Sequence, residues 1–414
     1  MQMVNVVLVA FAGVILLLNA FSYALQRISI PGPVPALGAG VLIGPYGLDL
    51  LRLDDFAPDP HRLLEEVTRI TLAVGLAGVA LRLPDGYWRR RWRWVLASVG
   101  LGMLVMFATA AGILSGLLGV PILVAIVIAA VITPTDPIVS TPIVTGRLSL
   151  KKIPSGVRSD ISSESGLNDG LAYLLVFAPV LLLTASPGQA WTELFTRVLL
   201  WEVGGAVIFG ALIGVALGWL FRFVYSRKLM EKTSMLGFVL AAALFTLGAL
   251  KLIGTDGVLG VFIAVAVFGV VAPREADDEQ DEAAETANRF VAIPSFVLLG
   301  MALPFDEWIA AGPSAFAAVL AALVLRRIVA VWVTRPVYAS LHTRAETAFM
   351  SWFGPVGISA LFYATLSERL TGETEIFTFV TMTIAASVVV HGLTSAPLST
   401  WMEEHSSAAS RVEV

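Results

Sequence analysis

Long apolar runs follow one another along the whole chain, and they limit its possible folds more than any other feature. Hydrophobic residues make up 57% of the 414 residues and charged residues only 14%, against about 25% in an ordinary soluble domain. A membrane-spanning helix needs about 20 apolar residues. The pattern therefore predicts an all-α polytopic membrane protein. It leaves no room for a soluble catalytic domain, and the absence of cysteine excludes disulfides and thiolate chemistry.

Turn residues divide the apolar runs into about 13 predicted membrane spans. The predicted spans are residues 4–25, 31–50, 67–83, 94–118, 121–146, 160–185, 197–222, 233–253, 255–272, 289–305, 312–334, 347–367 and 373–398. With the N-terminus outside and the C-terminus in the cytoplasm, 19 of the 27 Lys and Arg residues fall in cytoplasmic segments and six fall outside. This split agrees with the enrichment of basic residues on the cytoplasmic side of membrane proteins.

The remaining polar segments are short. Residues 273–288 are rich in Asp and Glu, and this composition predicts a solvated cytoplasmic loop. Residues 401–414 are predicted to form a short cytoplasmic tail after a membrane domain of residues 1–400. The net charge of −4 argues against nucleic acid as a partner.

Asp136 lies within an apolar span, in the segment Thr133-Pro134-Thr135-Asp136-Pro137. An ionised side chain at the bilayer centre costs at least about 2.5–3.5 kcal/mol, so it requires a partner or a function. Two prolines around a Thr-Asp pair break a helix. Unwound backbone at membrane depth is found where it is buried in protein or lines a cavity. The segment therefore predicts an ion site in a broken helix.

The next span begins with a second polar segment, which runs from Glu164 to Gly170. Residues four apart share a helix face, so Glu164 lies over Asn168 and Ser165 lies over Asp169. A Ser-Asp pair is suited to cation coordination, and a Glu-Asn pair is suited to anchoring the helix. Acidic and hydroxyl residues also favour the first turn of any helix, but Asp169 lies about two turns deeper than that explanation allows.

Arg326 and Arg327 lie within a predicted span and are candidate partners for these acids. Neighbouring residues on a helix point about 100° apart, so only one of the two can face a given acid. We expect one arginine to pair with a buried carboxylate and the other to extend to the interface or to face a second acid.

A second break is predicted at Gly354-Pro355-Val356-Gly357, seven spans after the first. Broken helices in matching places of two halves are typical of inverted-repeat transporters, whose ion sites lie near the bilayer midplane. Because the spacing is odd, the two broken helices run in opposite directions across the membrane.

Taken together, these motifs resemble those of the NhaP-like and NHE-like cation:proton antiporters. The resemblance extends over almost the whole chain, and its most specific part is the Thr-Asp and Asn-Asp motifs on consecutive helices. The matching positions are Thr135-Asp136-Pro137, Glu164-Ser165, Asn168-Asp169, Arg327, Gly354-Pro355-x-Gly357 and the early Gly40-Val41-Leu42-Ile43-Gly44-Pro45.

The resemblance implies a homodimer in the plasma (inner) membrane, with about 13 helices, inverted repeats and two broken, crossing helices. A core of residues 94–185 and 312–398 would move against a dimerisation part of residues 1–83 and 233–305. The resemblance assigns the transported cation or proton to Asp169, with Asp136, Ser165 and Thr135 completing the site. It pairs Glu164 with Arg327, and it implies an electroneutral exchanger because Asn168 precedes the key aspartate.

The function that these inferences favour is antiport of a monovalent cation, with Na+ ahead of K+ or Li+, for H+. No cofactor is expected. A symporter for a small organic solute on the same architecture is one alternative, although two carboxylates disfavour an anionic substrate. An intramembrane aspartyl protease that uses Asp136 and Asp169 is another. Two further alternatives are a channel and a sensor that does not transport ions.

Overall fold

The computed structural model describes residues 2–21, 30–84, 86–145, 147–231, 234–272, 277–338 and 341–406, and these residues are almost entirely helical. The helices are α1 (Gln2–Ala20), α2 (Pro33–Ile43), α3 (Pro60–Leu81), α4 (Tyr87–Leu117), α5 (Ile122–Ile132), α6 (Thr141–Val144), α7 (Arg147–Lys152), α8 (Ser155–Thr184), α9 (Pro187–Ser226), α10 (Met235–Leu252), α11 (Gly257–Val271), α12 (Asp277–Ala302), α13 (Phe305–Thr334), α14 (Arg344–Trp352), α15 (Ile358–Thr371) and α16 (Thr374–His405). The predicted all-α class is confirmed.

Every predicted span overlaps one of these helices or a pair of half-helices. Among the described residues, six helices are long and apolar enough to cross a membrane: α4, α8, α9, α10, α13 and α16. Shorter apolar helices include α2, α5 and α11. The number of crossings and the inverted repeats stay predictions.

Both predicted breaks are present. Helix α5 ends at Ile132, and residues 133–140 separate it from the four-residue helix α6. Helix α14 ends at Trp352, and residues 353–357 separate it from α15. In each case the helix ends where proline removes a backbone donor and excludes helical geometry. The two interruptions place main-chain groups that have no partner within a helix deep inside the protein.

Several helices extend beyond the predicted spans. Helix α4 begins at Tyr87 instead of residue 94, and α9 begins at Pro187 instead of residue 197. Helix α13 begins at Phe305 and kinks before Pro313, where Gly312 has a φ of 78° that L side chains rarely adopt. The predictions failed at these ends because amphipathic and polar turns continue a helix outside its apolar stretch.

The prediction of a loop at residues 273–288 is wrong from Asp277 onward, because that part is the beginning of α12. Ala and Glu are strong helix formers, and acidic residues are favourable near a helix N-terminus, so the charged composition is compatible with a helix. Residues 273–276 lie outside the described residues. The predicted tail is also partly helical, since α16 continues to His405, and residues 407–414 lie outside the described residues.

The helices pack as two groups. Helices α5, α8, α15 and α16 surround the two breaks, with α4, α13 and α14 beside them. Helices α2 and α3 pack with α9 to α12 in a second group, which meets the first mainly where α3 contacts α15 and where α8 contacts α9 and α11. The candidate site therefore lies inside the first group, within reach of its boundary with the second.

Candidate functional site

Asp136 lies in the break of the first interrupted helix and is completely buried. Its carboxylate accepts hydrogen bonds from the backbone N–H groups of Ile138 and Val139, at 2.7 and 2.9 Å. Its own carbonyl accepts the hydroxyl of Ser140 at 2.9 Å. The aspartate thus caps the turn of residues 137–140 that leads into α6, and this explains how an acid is held within an apolar segment.

The two breaks touch each other at Asp136. Its backbone N–H donates to the carbonyl of Pro355 at 2.8 Å, and the N–H of Ile358 donates to its carboxylate. A Cβ added at Gly357 would lie 2.6 Å from the carboxyl carbon of Asp136, so this approach requires glycine. One carboxylate therefore binds both the turn within the first break and the first residue of α15, which follows the second break.

Thr135 joins the first break to α8. Its backbone N–H donates to Oδ1 of Asn168 at 3.1 Å, and Nδ2 of Asn168 donates to its hydroxyl at 2.9 Å. The hydroxyl also lies 3.0 Å from Oγ of Ser165. Ser165 and Asn168 therefore both contact Thr135, whereas the helix spacing alone had paired them with Asp169 and Glu164.

Asp169 lies in the same region of α8 and is fully buried. Neither of its carboxylate oxygens has a hydrogen-bond partner of standard geometry. The carboxylate interacts electrostatically with Asp136 and with the Ser359 hydroxyl, and Tyr363 donates to the Asp169 carbonyl at 2.8 Å. An uncompensated buried carboxylate is costly unless a proton or a cation joins it.

Glu164 and Arg327 form a buried ion pair between α8 and α13. The two guanidinium NH groups of Arg327 reach the two carboxylate oxygens of Glu164, and the second of these contacts measures 2.9 Å. The Nε of Arg327 donates to the Met350 carbonyl at 3.3 Å. The structure thus brings together the pair that the resemblance implies, close to the site but separate from Asp169.

Arg326 neither extends to the interface nor faces an acid, so both expectations for the second arginine are wrong. It is fully buried, and it donates to the carbonyls of Thr133 and Gly354 at 2.7 Å each. Those carbonyls follow the ends of α5 and α14, where a helix carries partial negative charge. The two terminal nitrogens of the guanidinium thus bind the buried carbonyl ends of both interrupted helices, while its Nε has no hydrogen-bond partner among the described residues.

Gly354 and Pro355 act through their backbone. Their carbonyls accept Arg326 and Asp136, respectively. A Cβ at Gly354 would lie 2.8 Å from Cγ of Arg327, so the close packing of α13 against the break also requires glycine here. The residues predicted to form or support the site therefore lie at or beside the contact between the two breaks, namely Thr135, Asp136, Glu164, Ser165, Asn168, Asp169, Arg327, Gly354 and Pro355.

The family is established by comparison with known proteins. The sequence profile described as "Sodium/hydrogen exchanger, transmembrane" matches residues 12–401. The chain belongs to the sodium/hydrogen exchanger family. This is a family of transporters, and the chain is therefore an integral membrane transporter and not an enzyme.

Individual exchanger relatives match most of the chain. An Na(+)/H(+) antiporter of Schizosaccharomyces pombe is 26% identical, over 96% of this chain and 91% of that protein. Na(+)/H(+) antiporter 2 of Zygosaccharomyces rouxii is 29% identical, but the match spans only 42% of that protein. The sodium proton antiporter MjNhaP1 from Methanocaldococcus jannaschii has a similar fold, with a TM-score of 0.72, 18% identity and coverage of 95% of this chain and 100% of that one.

Sequence reasoning missed two residues at the site of this exchanger-family chain, Ser359 and Tyr363. Both are fully buried on α15, one turn apart. The signal was available in the sequence, because they follow the second break at a spacing that places them on one face. Among the described residues, no group of three or more His, Cys, Asp or Glu side chains is arranged to hold a metal ion. The site instead combines two carboxylates with neutral oxygens.

Proposed function

We propose that the chain is a secondary active antiporter that exchanges a monovalent cation, with Na+ ahead of Li+ and K+, for H+. The observation that carries this proposal is the pair of unpartnered carboxylate oxygens of Asp169, fully buried and next to Asp136. Such a carboxylate is stabilised by binding either a proton or a small cation. The names of the antiporters similar to this chain support the same pair of substrates.

Competition at one site couples the two fluxes. Asp169 loaded with a proton or with a cation is compensated and can cross between the two access states. The empty site leaves an ionised carboxylate beside Asp136 in an apolar environment, which makes its passage costly. One cation then exchanges for one proton. Asn168 is neutral and adds no further charge, so the exchange is electroneutral and independent of membrane potential.

The proposal includes an assembly and an orientation. The chain would form a homodimer in the plasma membrane through residues 1–83 and 233–305, while residues 94–185 and 312–398 carry the site. The N-terminus would lie outside and the C-terminus in the cytoplasm, as the distribution of 27 basic residues favours. The packing of the helices in two groups supports this division.

The alternatives receive less support from the site. A protease dyad needs two carboxylates that share a water, but both carboxylate oxygens of Asp136 already accept backbone N–H groups, from the turn in the first break and from the start of α15. A symporter for an organic anion would place its substrate against two carboxylates, which repel it.

Proteoliposomes loaded with a pH dye test the proposed function. A Na+ gradient is expected to drive proton movement that a potential clamp leaves unchanged, and replacement of Na+ by a large organic cation is expected to abolish it. Proton movement that is absent with Na+, K+ and Li+ alike would reject the proposed antiport.

If the two helix groups move relative to each other during transport, the ion pairs between α3 and α15 must break. Arg369 on α15 forms a bidentate contact with Glu65 on α3, at 2.7 and 2.8 Å, and His61 lies 2.7 Å from Glu368. These contacts close one side of the boundary, so they must separate if α15 moves past α3. Two cysteines, Glu65→Cys and Arg369→Cys, can be joined by a short reducible bifunctional thiol reagent. This cross-link is expected to lower the rate of exchange at least about tenfold.

Cleavage of the cross-link by a reducing agent is expected to restore the rate. Because the chain has no native cysteine, each single variant treated with the same reagent is a background-free control. Undiminished exchange in the fully cross-linked protein would contradict relative motion at this boundary.

A further inference from the structure

Ser359 has a buried hydroxyl that the fold itself does not use. The residue is completely buried, and its Oγ has no hydrogen-bond partner of standard geometry. Burial of a hydroxyl without a partner is unfavourable, so such a group in a polar cluster points to a ligand.

The neighbouring contacts of α15 define where Ser359 lies. The N–H of Ile358 donates to the Asp136 carboxylate, and the hydroxyl of Tyr363 donates to the Asp169 carbonyl at 2.8 Å. Ser359 is one residue after the first contact and one turn before the second. Its backbone interacts with the carboxylate of Asp136, and its hydroxyl interacts electrostatically with the carboxylate of Asp169.

Two further hydroxyls of the predicted site, those of Thr135 and Ser165, have hydrogen-bond partners. Thr135 and Ser165 lie 3.0 Å from each other, and Thr135 also accepts a hydrogen bond from Asn168. Ser359 differs from them in that its hydroxyl has no hydrogen-bond partner of standard geometry among the described residues, so its lone pairs are available to a cation. Small monovalent cations are hard Lewis acids, for which neutral oxygens beside a carboxylate are suitable ligands.

We propose that Ser359 Oγ is a ligand of the transported cation and a determinant of cation selectivity, supplied from the second interrupted helix. This inference rests on the proposed antiport. The cation would then have ligands from two helices, because Asp169 belongs to α8 and Ser359 belongs to α15.

The test is transport kinetics of Ser359→Ala in proteoliposomes with Na+, Li+ and K+ at fixed pH. Loss of one neutral ligand is expected to raise the KM for Na+ about tenfold, to leave the maximal rate within about twofold, and to change the ratio of KM values among the three cations. Ser359→Thr keeps the hydroxyl and is expected to recover most of the affinity for Na+.

Ser367→Ala is the matched control. Ser367 lies on the same helix, is fully buried and also has an unpartnered hydroxyl, but it is about 12 Å further along the axis. It is expected to leave all three KM values unchanged. A structural effect of removing a buried hydroxyl from α15 would change yield or maximal rate in both variants, without altering selectivity.

The outcomes separate this inference from the proposed function. Cation-driven exchange by the wild type, with unchanged KM values in Ser359→Ala, would overturn the role of Ser359 and leave the antiport intact. Failure of the wild type to exchange any of the three cations would overturn the antiport itself. Stabilisation of the detergent-solubilised protein by Na+ provides a second readout, and Ser359→Ala is expected to lose most of the Na+-dependent rise in Tm.

Discussion

Asp169→Asn is expected to lower the rate of cation:proton exchange at least about a hundredfold, while the protein still folds. The substitution keeps the shape of the side chain but removes the charge that binds a cation and the carboxylate that binds a proton. Since neither carboxylate oxygen has a hydrogen-bond partner, the fold loses no contact when one oxygen becomes an amide nitrogen. Dye-detected proton movement in proteoliposomes measures the activity, and size-exclusion chromatography with Tm measures the folding.

Asp160→Asn is a suitable control for this substitution. Asp160 is a fully buried aspartate on the same helix, about 13 Å before Asp169, and it accepts the hydroxyl of Tyr87 at 2.8 Å. Asparagine retains an oxygen for that contact, so exchange is expected to persist. Full exchange by Asp169→Asn would contradict the assignment of the site, whereas equal loss in both variants would indicate a general effect of buried charge on α8.

Arg327→Met is expected to have the largest effect on stability. It leaves the buried Glu164 carboxylate without its bidentate partner, and removal of one member of a buried pair typically costs about 3–5 kcal/mol. Methionine preserves most of the packing volume, so the expected loss is electrostatic. The folded yield and the Tm in detergent are both expected to fall.

The double variant Arg327→Met/Glu164→Gln distinguishes this cause from simple loss of packing. Neutralising Glu164 removes the stranded charge, so the double variant is expected to be more stable than Arg327→Met alone. Wild-type yield and Tm in Arg327→Met, or no recovery in the double variant, would show that the pair contributes little to stability.

The sequence predicted the parts of the site whose signals are local. Pro134 and Pro137 mark the first break, and Gly354 and Pro355 mark the second, because proline and glycine act on the backbone wherever they occur. Buried charge is equally visible in sequence, so Asp136 and Asp169 could be singled out before any geometry was known. The pairing of Glu164 with Arg327 came from the family resemblance.

The parts that could not be predicted depend on contacts between distant segments. Arg326 binds carbonyls of two different breaks. Every residue has a backbone carbonyl, so residue types do not show which carbonyl accepts a hydrogen bond. Asn168 was paired with Glu164 by helix spacing, but it turns to Thr135 because an unwound segment offers free backbone groups. The start of α12 was missed since its charged composition suits both a solvated loop and a helix.

The KM for Na+ as a function of pH tests competition at one carboxylate most directly. If protons and Na+ exclude each other from Asp169, the KM rises about tenfold for each unit of pH below the apparent pKa of the site, while the maximal rate at saturating Na+ stays constant. A KM that is independent of pH, with a maximal rate that falls on acidification, would contradict a shared site and would require separate sites for the two ions.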